Sequence, residues 1–235
     1  MVDIHNHLLF DVDDGSKSIE ESIEVLKEME KAGYTDIILT PHYICESRYS
    51  SSKDNNLEKM NILKEELRKN NIPLNLYLGN EIFIDDSIYQ LLKMDVISSL
   101  NNTNYILVEL PMSGEYPGYQ EIFKYLISKG YKVVLAHPER YISFQDDFTR
   151  IYELEKIGVY FQSNIDSLVG KYGPVAEKMI IRLLKENKLV FLATDIHHPK
   201  HDYKKWKEAK EKALKYVSEE VYDYLTRINP SQLIG

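Results

Sequence analysis

The chain has 235 residues, 43% of them hydrophobic and 28% charged, which is ordinary globular usage and excludes wholesale disorder. Its net charge of −8 (29 Lys and Arg against 37 Asp and Glu) argues against a nucleic-acid backbone as main partner. A single cysteine, Cys45, excludes an intrachain disulfide framework and a thiolate metal cluster.

In chain order, the amino terminus MVDIHNHLLF has no basic region and no long apolar stretch, so it does not read as a secretory signal. No run approaches the ~18 apolar residues of a membrane span, and a soluble cytoplasmic protein is expected. Strands are predicted at Val2–Ile4, Asp36–Thr40, Leu74–Leu78, Tyr105–Glu109, Lys132–Ala136, Val159–Gln162 and Leu189–Thr194. Helices are predicted between them. Ser18–Lys31 opens with a Ser18–Glu21 capping box and stops at Gly33. Asn56–Asn70 ends before Pro73, Tyr119–Lys129 stops at Gly130, and Asp146–Lys156 stops at Gly158. Pro174–Asn187 starts on a proline suited to a first helical turn, and a tail helix spans about Tyr203–Arg227. The alternation is the signature of a parallel α/β fold, as a closed barrel or an open doubly wound sheet. No composition shift marks a boundary, so one domain over residues 1–235 is expected. The polar stretch Glu46–Lys59 reads first as a mobile loop over the site, then as a helix start.

His5, His7, His42, His137 and His197 each follow a predicted strand, joined by Glu81, Glu109 and Asp195. In a parallel barrel the carboxyl ends of the strands converge on one face. Residues two apart on an extended segment point the same way, so His5 with His7, and Asp195 with His197, each present a pair. One histidine at a strand end is more often a satisfied polar residue than a ligand. The combined spacing favours a metal site, and imidazole with carboxylate suits Mn²⁺, Fe²⁺ or Zn²⁺, with Mn²⁺ favoured as carboxylates accumulate. The segment Asp11-Val-Asp-Asp-Gly15 misses the calcium-loop pattern, since its glycine comes early and no closing Glu follows. Asp14 is expected to reach back into the metal site. Asp3, two residues before His5, is a candidate to orient a ligand imidazole. Tyr43, Tyr49 and Tyr141 are candidates to flank an aromatic substrate. Cys45 lacks an arginine six residues on, and the chain has neither a Gly-x-Ser-x-Gly elbow nor a P-loop.

The motifs Asp3-Ile-His-Asn-His7, Asp13-Asp-Gly15, Thr40-Pro-His42, Gly79-Asn-Glu81, Glu109-Leu-Pro111, Ala136-His-Pro-Glu-Arg-Tyr141 and Thr194-Asp-Ile-His197 occur in order. Together they resemble the PHP (polymerase and histidinol phosphatase) superfamily, and more closely the bacterial CpsB/CapC-type manganese-dependent protein-tyrosine phosphatases. The resemblance implies a distorted seven-stranded TIM-like (β/α) barrel holding three divalent metal ions, usually Mn²⁺. It implies His5, His7, Glu81 and Asp195 on a first ion, with Glu81 bridging to a second held by Glu109 and His137. Asp14, His42 and His197 would bind a third. Arg140 matches a phosphate-binding arginine. The family's second arginine is missing from His198-Pro-Lys-His-Asp-Tyr-Lys-Lys205, where Lys200 or Lys204 is left to supply charge without the planar fork. The expected reaction is hydrolysis of phosphotyrosine by a metal-bridging hydroxide, with His42 or a metal-bound water protonating the phenolate. The expected partner is the phosphotyrosine tail of an autophosphorylating bacterial tyrosine kinase in polysaccharide synthesis, with no nucleic acid and no membrane insertion. The alternatives are a small-molecule phosphomonoesterase of the histidinol-phosphatase kind and a non-catalytic kinase-binding module.

Overall fold

The computed structural model describes residues 1–114 and 116–235. The strands are β1 (Val2–Asp3), β2 (Asp36–Leu39), β3 (His42–Tyr43), β4 (Asn75–Leu78), β5 (Glu81–Phe83), β6 (Tyr105–Glu109), β7 (Lys132–Ala136), β8 (Tyr160–Asn164) and β9 (Phe191–Ala193). The helices are α1 (Ile19–Lys31), α2 (Lys53–Lys69), α3 (Ile88–Met94), α4 (Tyr119–Ser128), α5 (Ile142–Asp146), α6 (Thr149–Lys156), α7 (Gly173–Lys185), α8 (Lys204–Ala213), α9 (Glu219–Asp223) and α10 (Asn229–Ser231). None is long and apolar enough to cross a membrane among the described residues.

All strand pairs are parallel, in the orders β1-β2-β4 and β3-β5-β6-β7-β8-β9. The α/β fold with parallel sheets matches expectation. The two ladders are continuous along the chain, because β2 runs into β3 through Thr40-Pro41 and β4 into β5 through Gly79-Asn80. Pro41 has no N–H to give a ladder. Its carbonyl accepts instead from Glu81 N and Asn80 Nδ2, each at 3.1 Å. A Cβ on Gly79 would sit 2.9 Å from Leu100 Cδ2 and 3.3 Å from Thr40 Cγ2, so a side chain at the crossing point would have to displace Leu100. Past β1 and β9 the first and last strands lie side by side, through the parallel bridge Asn6–Ile196 and the bond from Asp195 N to His5 O at 2.8 Å.

Strand periodicity sorts the core. Ile37, Leu39, Ile106, Val108, Val133 and Leu135 join the large cluster against the helices. Their neighbours Ile38, Leu107, Val134 and Ala136 form a second cluster with Val2, Ile4, Phe191 and Leu233. Alternate residues therefore face opposite sides of each strand, and burying each large apolar side chain contributes roughly 1.5–3 kcal/mol. On β6 the apolar face continues from Leu107 to Glu109, and on β8 from Tyr160 to Gln162 and Asn164. Polar side chains thus lie above the apolar floor, at the carboxyl ends of the strands.

Helix ends follow local chemistry. Ser18 caps α1 by accepting from Glu21 N at 3.4 Å, while Glu21 Oε2 accepts from Lys17 N at 2.7 Å, one residue further back than a standard capping box. Buried Val25, Leu26 and Met29 form its inner stripe. Several boundaries differ from expectation. Ser52 caps α2, so that helix starts at Lys53 rather than Asn56. The predicted Asp146–Lys156 helix starts later, at Thr149, where Asp147 Oδ1 accepts from Thr149 N and Oγ1. The predicted tail helix Tyr203–Arg227 breaks after Ala213, and Ser218 caps a new start by accepting from Val221 N. Helices α3 and α5 were not anticipated.

Candidate metal centre

His5, His7, His137, Asp195 and His197 follow β1, β7 and β9, His42 and Glu81 open β3 and β5 just past the ends of β2 and β4, and Glu109 closes β6; the eight gather on one side of the sheets. Asp14 joins them from the segment before α1. The ligand atoms fall into overlapping sets: His7, Asp14, His42 and His197; His5, His7 and Glu81; His5, His137 and Asp195; His42, Glu81 and Glu109.

The centre of the cluster is Glu81, 1% exposed. Its Oε2 lies 3.2 Å from His5 Nε2, 3.3 Å from His7 Nε2 and 3.0 Å from His42 Nδ1. Yet this oxygen makes no hydrogen bond. His5 Nε2 and His7 Nε2 face each other at 3.4 Å. Buried imidazole nitrogens converging on a carboxylate oxygen that has no hydrogen bond are what a cation requires. Asp14 Oδ1, buried and likewise without a hydrogen bond, lies 3.5 Å from His42 Nε2 and 3.7 Å from His197 Nε2.

The electrostatics agree. Burial and the neighbouring His7 work against charge on His42, but Glu81 and Glu109 outweigh them and push its pKa up to about 11. Burial also opposes charge on His7, yet Asp13 and the other carboxylates hold it well above its ordinary value. Burial would raise Glu81 and Asp195, but the surrounding imidazoles hold both well below the carboxylate range. His197 goes the other way, lowered to about 4 by burial and by His7. A pocket of carboxylates that draws protons onto buried imidazoles is one that divalent cations neutralise.

The surrounding shell is built from residues that the motifs only partly disclose. Asp13 Oδ2 contacts His7 Nδ1 at 2.7 Å and accepts from His42 N at 2.9 Å. Gln162 Oε1 accepts from His5 Nδ1 at 2.7 Å, and Gln162 Nε2 donates to Asn164 Oδ1 at 3.0 Å. Asn164 Nδ2 donates to Asp195 Oδ2 at 2.6 Å. Among the described residues strand β8 thus adds no side chain to these sets, but it orients His5 and Asp195, which follow β1 and β9. Asp3 does not orient His5. Its carboxylate accepts from Thr194 N, Thr194 Oγ1 and Asn6 Nδ2, and burial leaves it raised to about 6. His137 (φ +34°) and Asp195 (φ +49°) take left-handed backbone conformations, a strained state for non-glycine residues that is held where function fixes the side chain.

Arg140 Nη1 donates to Asp195 Oδ2 at 2.8 Å, and its guanidinium lies 4.3 Å from the centre of the Tyr172 ring. Beside it a cavity of about 300 Å³ is lined by Arg140, Lys171, Tyr172, His198 and Lys200. Lys204 lies elsewhere and lines a separate cavity. Tyr49 stacks over His42 with ring centres 6.0 Å apart, and Tyr43 is buried. Tyr141 is 1% exposed, with its hydroxyl accepting from Leu110 N at 3.0 Å. Tyr141 is a core residue and flanks no substrate.

Residues 1–235 match the family model described as capsular polysaccharide synthesis, CpsB/CapC. The putative tyrosine-protein phosphatase CapC of Staphylococcus aureus is 40% identical over 202 residues, covering 84% of this chain and 77% of that protein. Tyrosine-protein phosphatase YwqE of Bacillus subtilis (strain 168) is 35% identical over 201 residues, covering 85% and 78%. A crystal structure reported for YwqE from Bacillus subtilis and CpsB from Streptococcus pneumoniae, described as unique metal-dependent tyrosine phosphatases, matches with a TM-score of 0.86 and 32% identity, covering 95% of this chain and 91% of that one. Histidinol phosphate phosphatase from Lactococcus lactis shares the fold, with a TM-score of 0.60 at 16% identity over 92% of this chain and 93% of the other.

Proposed function

The chain belongs to the CpsB/CapC family of capsular polysaccharide synthesis, and from that we infer a metal-dependent protein-tyrosine phosphatase. The observation that carries the reading is Glu81 Oε2, buried, facing three imidazole nitrogens and hydrogen-bonded to none. The donor set fits divalent ions without thiolate, and its carboxylates favour Mn²⁺. Three ions are proposed. His5, His7, Glu81 and Asp195 would hold the first. Glu81, Glu109 and His137 would hold the second, supported by the 2.8 Å approach of His137 Nε2 to Glu81 Oε1. Asp14, His42 and His197 would hold the third, supported by their shared ligand set with His7.

Bound divalent ions supply Lewis acidity and a water of lowered pKa. The chain's own residues do the rest. Arg140 is fixed on one edge by Asp195 and on its face by Tyr172, which leaves its other N–H groups for phosphoryl oxygens. Lys200, on the wall of the same cavity, is proposed as a second phosphate contact. Glu81 and Glu109 each lie 3.0 Å from His42 Nδ1 and would orient the ring as a ligand, and water held in the site would give the proton to the phenolate oxygen as the bond from phosphorus to it breaks.

The finer reading of the fold is a distorted seven-stranded barrel. In it β2–β3 and β4–β5 each count as one strand and the ring closes at Asn6–Ile196, with the bridge there as support. One domain over residues 1–235 belongs to the same reading, supported by a family match of that extent. The proposed substrate is the phosphotyrosine tail of an autophosphorylating bacterial tyrosine kinase. A cytoplasmic location is proposed with it, and an unpaired Cys45 is in keeping with a reducing compartment.

The test is hydrolysis of a phosphotyrosine peptide by metal-stripped protein, with and without Mn²⁺, beside a Cys45→Ser variant. Mn²⁺ is expected to restore turnover, with the variant equally active. Full activity after stripping, with Cys45→Ser dead, would overturn the reading in favour of a thiol nucleophile.

A further inference from the structure

A cavity of about 670 Å³ lies away from the metal centre, between the end of α1 and the start of α8. That volume lies within the ~300–1,000 Å³ typical of small-ligand sites, and none of its lining residues lines the cavity beside Arg140.

We propose that this cavity is a second binding site, for a small planar aromatic anion. Its floor is aromatic: Tyr34, Trp206 and Tyr222 line it, each buried. Tyr34 meets Trp206 edge-on, with ring centres 5.8 Å apart at 71°. Such a floor offers ring faces and edges to a planar ligand. The indole Nε1 of Trp206 is buried and makes no hydrogen bond. A buried donor left unmade costs about 1–3 kcal/mol, which a ligand acceptor recovers only if the indole turns toward the cavity.

The rim is basic, formed by Lys31, Lys204, Lys207 and Lys210. Glu28 pairs with Lys31 at 2.6 Å, Glu219 lies 3.6 Å from Lys210, and Glu211 lies 3.9 Å from Lys207. Lys204 has no carboxylate within ion-pair distance among the described residues. In a chain of net charge −8, positive charge around an aromatic floor selects for an anion carried on a ring.

A side-chain wall separates this cavity from the metal centre. His201 lines the cavity beside Arg140, and its ring packs on Trp206 with centres 5.2 Å apart. The two cavities are therefore lined by different residues and share this wall.

Trp206 is the chain's sole tryptophan, so its emission reports contact at this cavity, with a phosphate control separating effects passed through His201. The metal-loaded enzyme is titrated with 4-nitrobenzenesulfonate, an aromatic anion that quenches indole on contact and carries no phosphate. Saturable quenching is expected, unchanged by excess inorganic phosphate. In a Lys204→Glu/Lys207→Glu variant that retains phosphatase activity, the dissociation constant is expected to rise about tenfold or more, since both rim charges reverse. Neutral 4-nitrobenzyl alcohol is not expected to saturate in the same range. Quenching that grows linearly, is displaced by phosphate, or is indifferent to the charge reversal overturns the proposal. Because phosphatase activity is read separately, failure here leaves the catalytic reading untouched.

Discussion

Gln162 Oε1 accepts a hydrogen bond from His5 Nδ1 at 2.7 Å, which leaves His5 Nε2 facing Glu81 and Asp195. One amide thereby sets the tautomer of a proposed ligand. Gln162→Leu is expected to weaken Mn²⁺ binding about 10–100-fold, the usual cost of losing such a partner. Gln162→Glu keeps an acceptor for His5 and is expected to hold most of the affinity. Equilibrium dialysis against Mn²⁺ reads both, and equal losses in the two variants would refute an orienting role.

Gly15 is packed against the centre. A Cβ there would lie 2.0 Å from the carbonyl oxygen of His7 and 2.5 Å from its Cβ. Gly15→Ala must therefore displace His7, whose ring sits between Asp13 and Glu81. Both metal affinity and melting temperature are expected to fall, by calorimetry and by Mn²⁺ titration of the same preparation. A variant with wild-type values for both would mean that the loop after β1 moves freely.

Arg140 is gripped by shape as much as by charge. Arg140→Lys keeps the cation but loses the planar fork and the stacking on Tyr172. We expect KM for a phosphotyrosine peptide to rise about tenfold, with bound metal unchanged. Tyr172→Ala is expected to move KM in the same direction by less. Steady-state kinetics alongside metal analysis separates a substrate contact from damage to the centre, because only the latter would lower metal content.

Glu139, the residue before Arg140, is fully buried and accepts from Ser163 Oγ, Asn164 N and Ser167 Oγ at 2.7–2.9 Å. The backbone donor cannot reverse its role. Glu139→Gln sets an amide against this cluster of donors and is expected to destabilise the fold by about 1–3 kcal/mol. Urea denaturation reads the change, and stability equal to the wild type would mean that the amide turns to satisfy every donor.

The sequence disclosed most of what bears charge and little of what merely holds it. β6 and β7 match the predicted spans because their apolar runs are bounded by clear breaks. The short β3 and β5 were missed because Pro41 and Gly79 interrupt extended chain without ending it. Histidine and carboxylate spacing drew attention to Asp14, while Asp13, hydrogen-bonded to His7 and to the backbone of His42, carried the same signature and was passed over. Gln162 and Asn164 left no mark, since a neutral amide on an apolar strand resembles any polar interruption. Asp3 misled because strand alternation predicts direction but not partner, and Thr194 lay 191 residues away along the chain.

The pairing of Asn6 with Ile196 bears on how the protein is made. His5 and His7 leave the ribosome almost two hundred residues ahead of Asp195 and His197. Pairing of such high contact order closes late, after the loop entropy of the intervening chain has been overcome. A nascent chain released before β9 carries the histidines of β1 with no carboxylate from the last strand to complete the cluster. Full metal loading is therefore expected only once β9 has been made, and products truncated before it are expected to lack it. Joining residues so far apart in sequence ties the proposed centre to the pairing of Asn6 with Ile196.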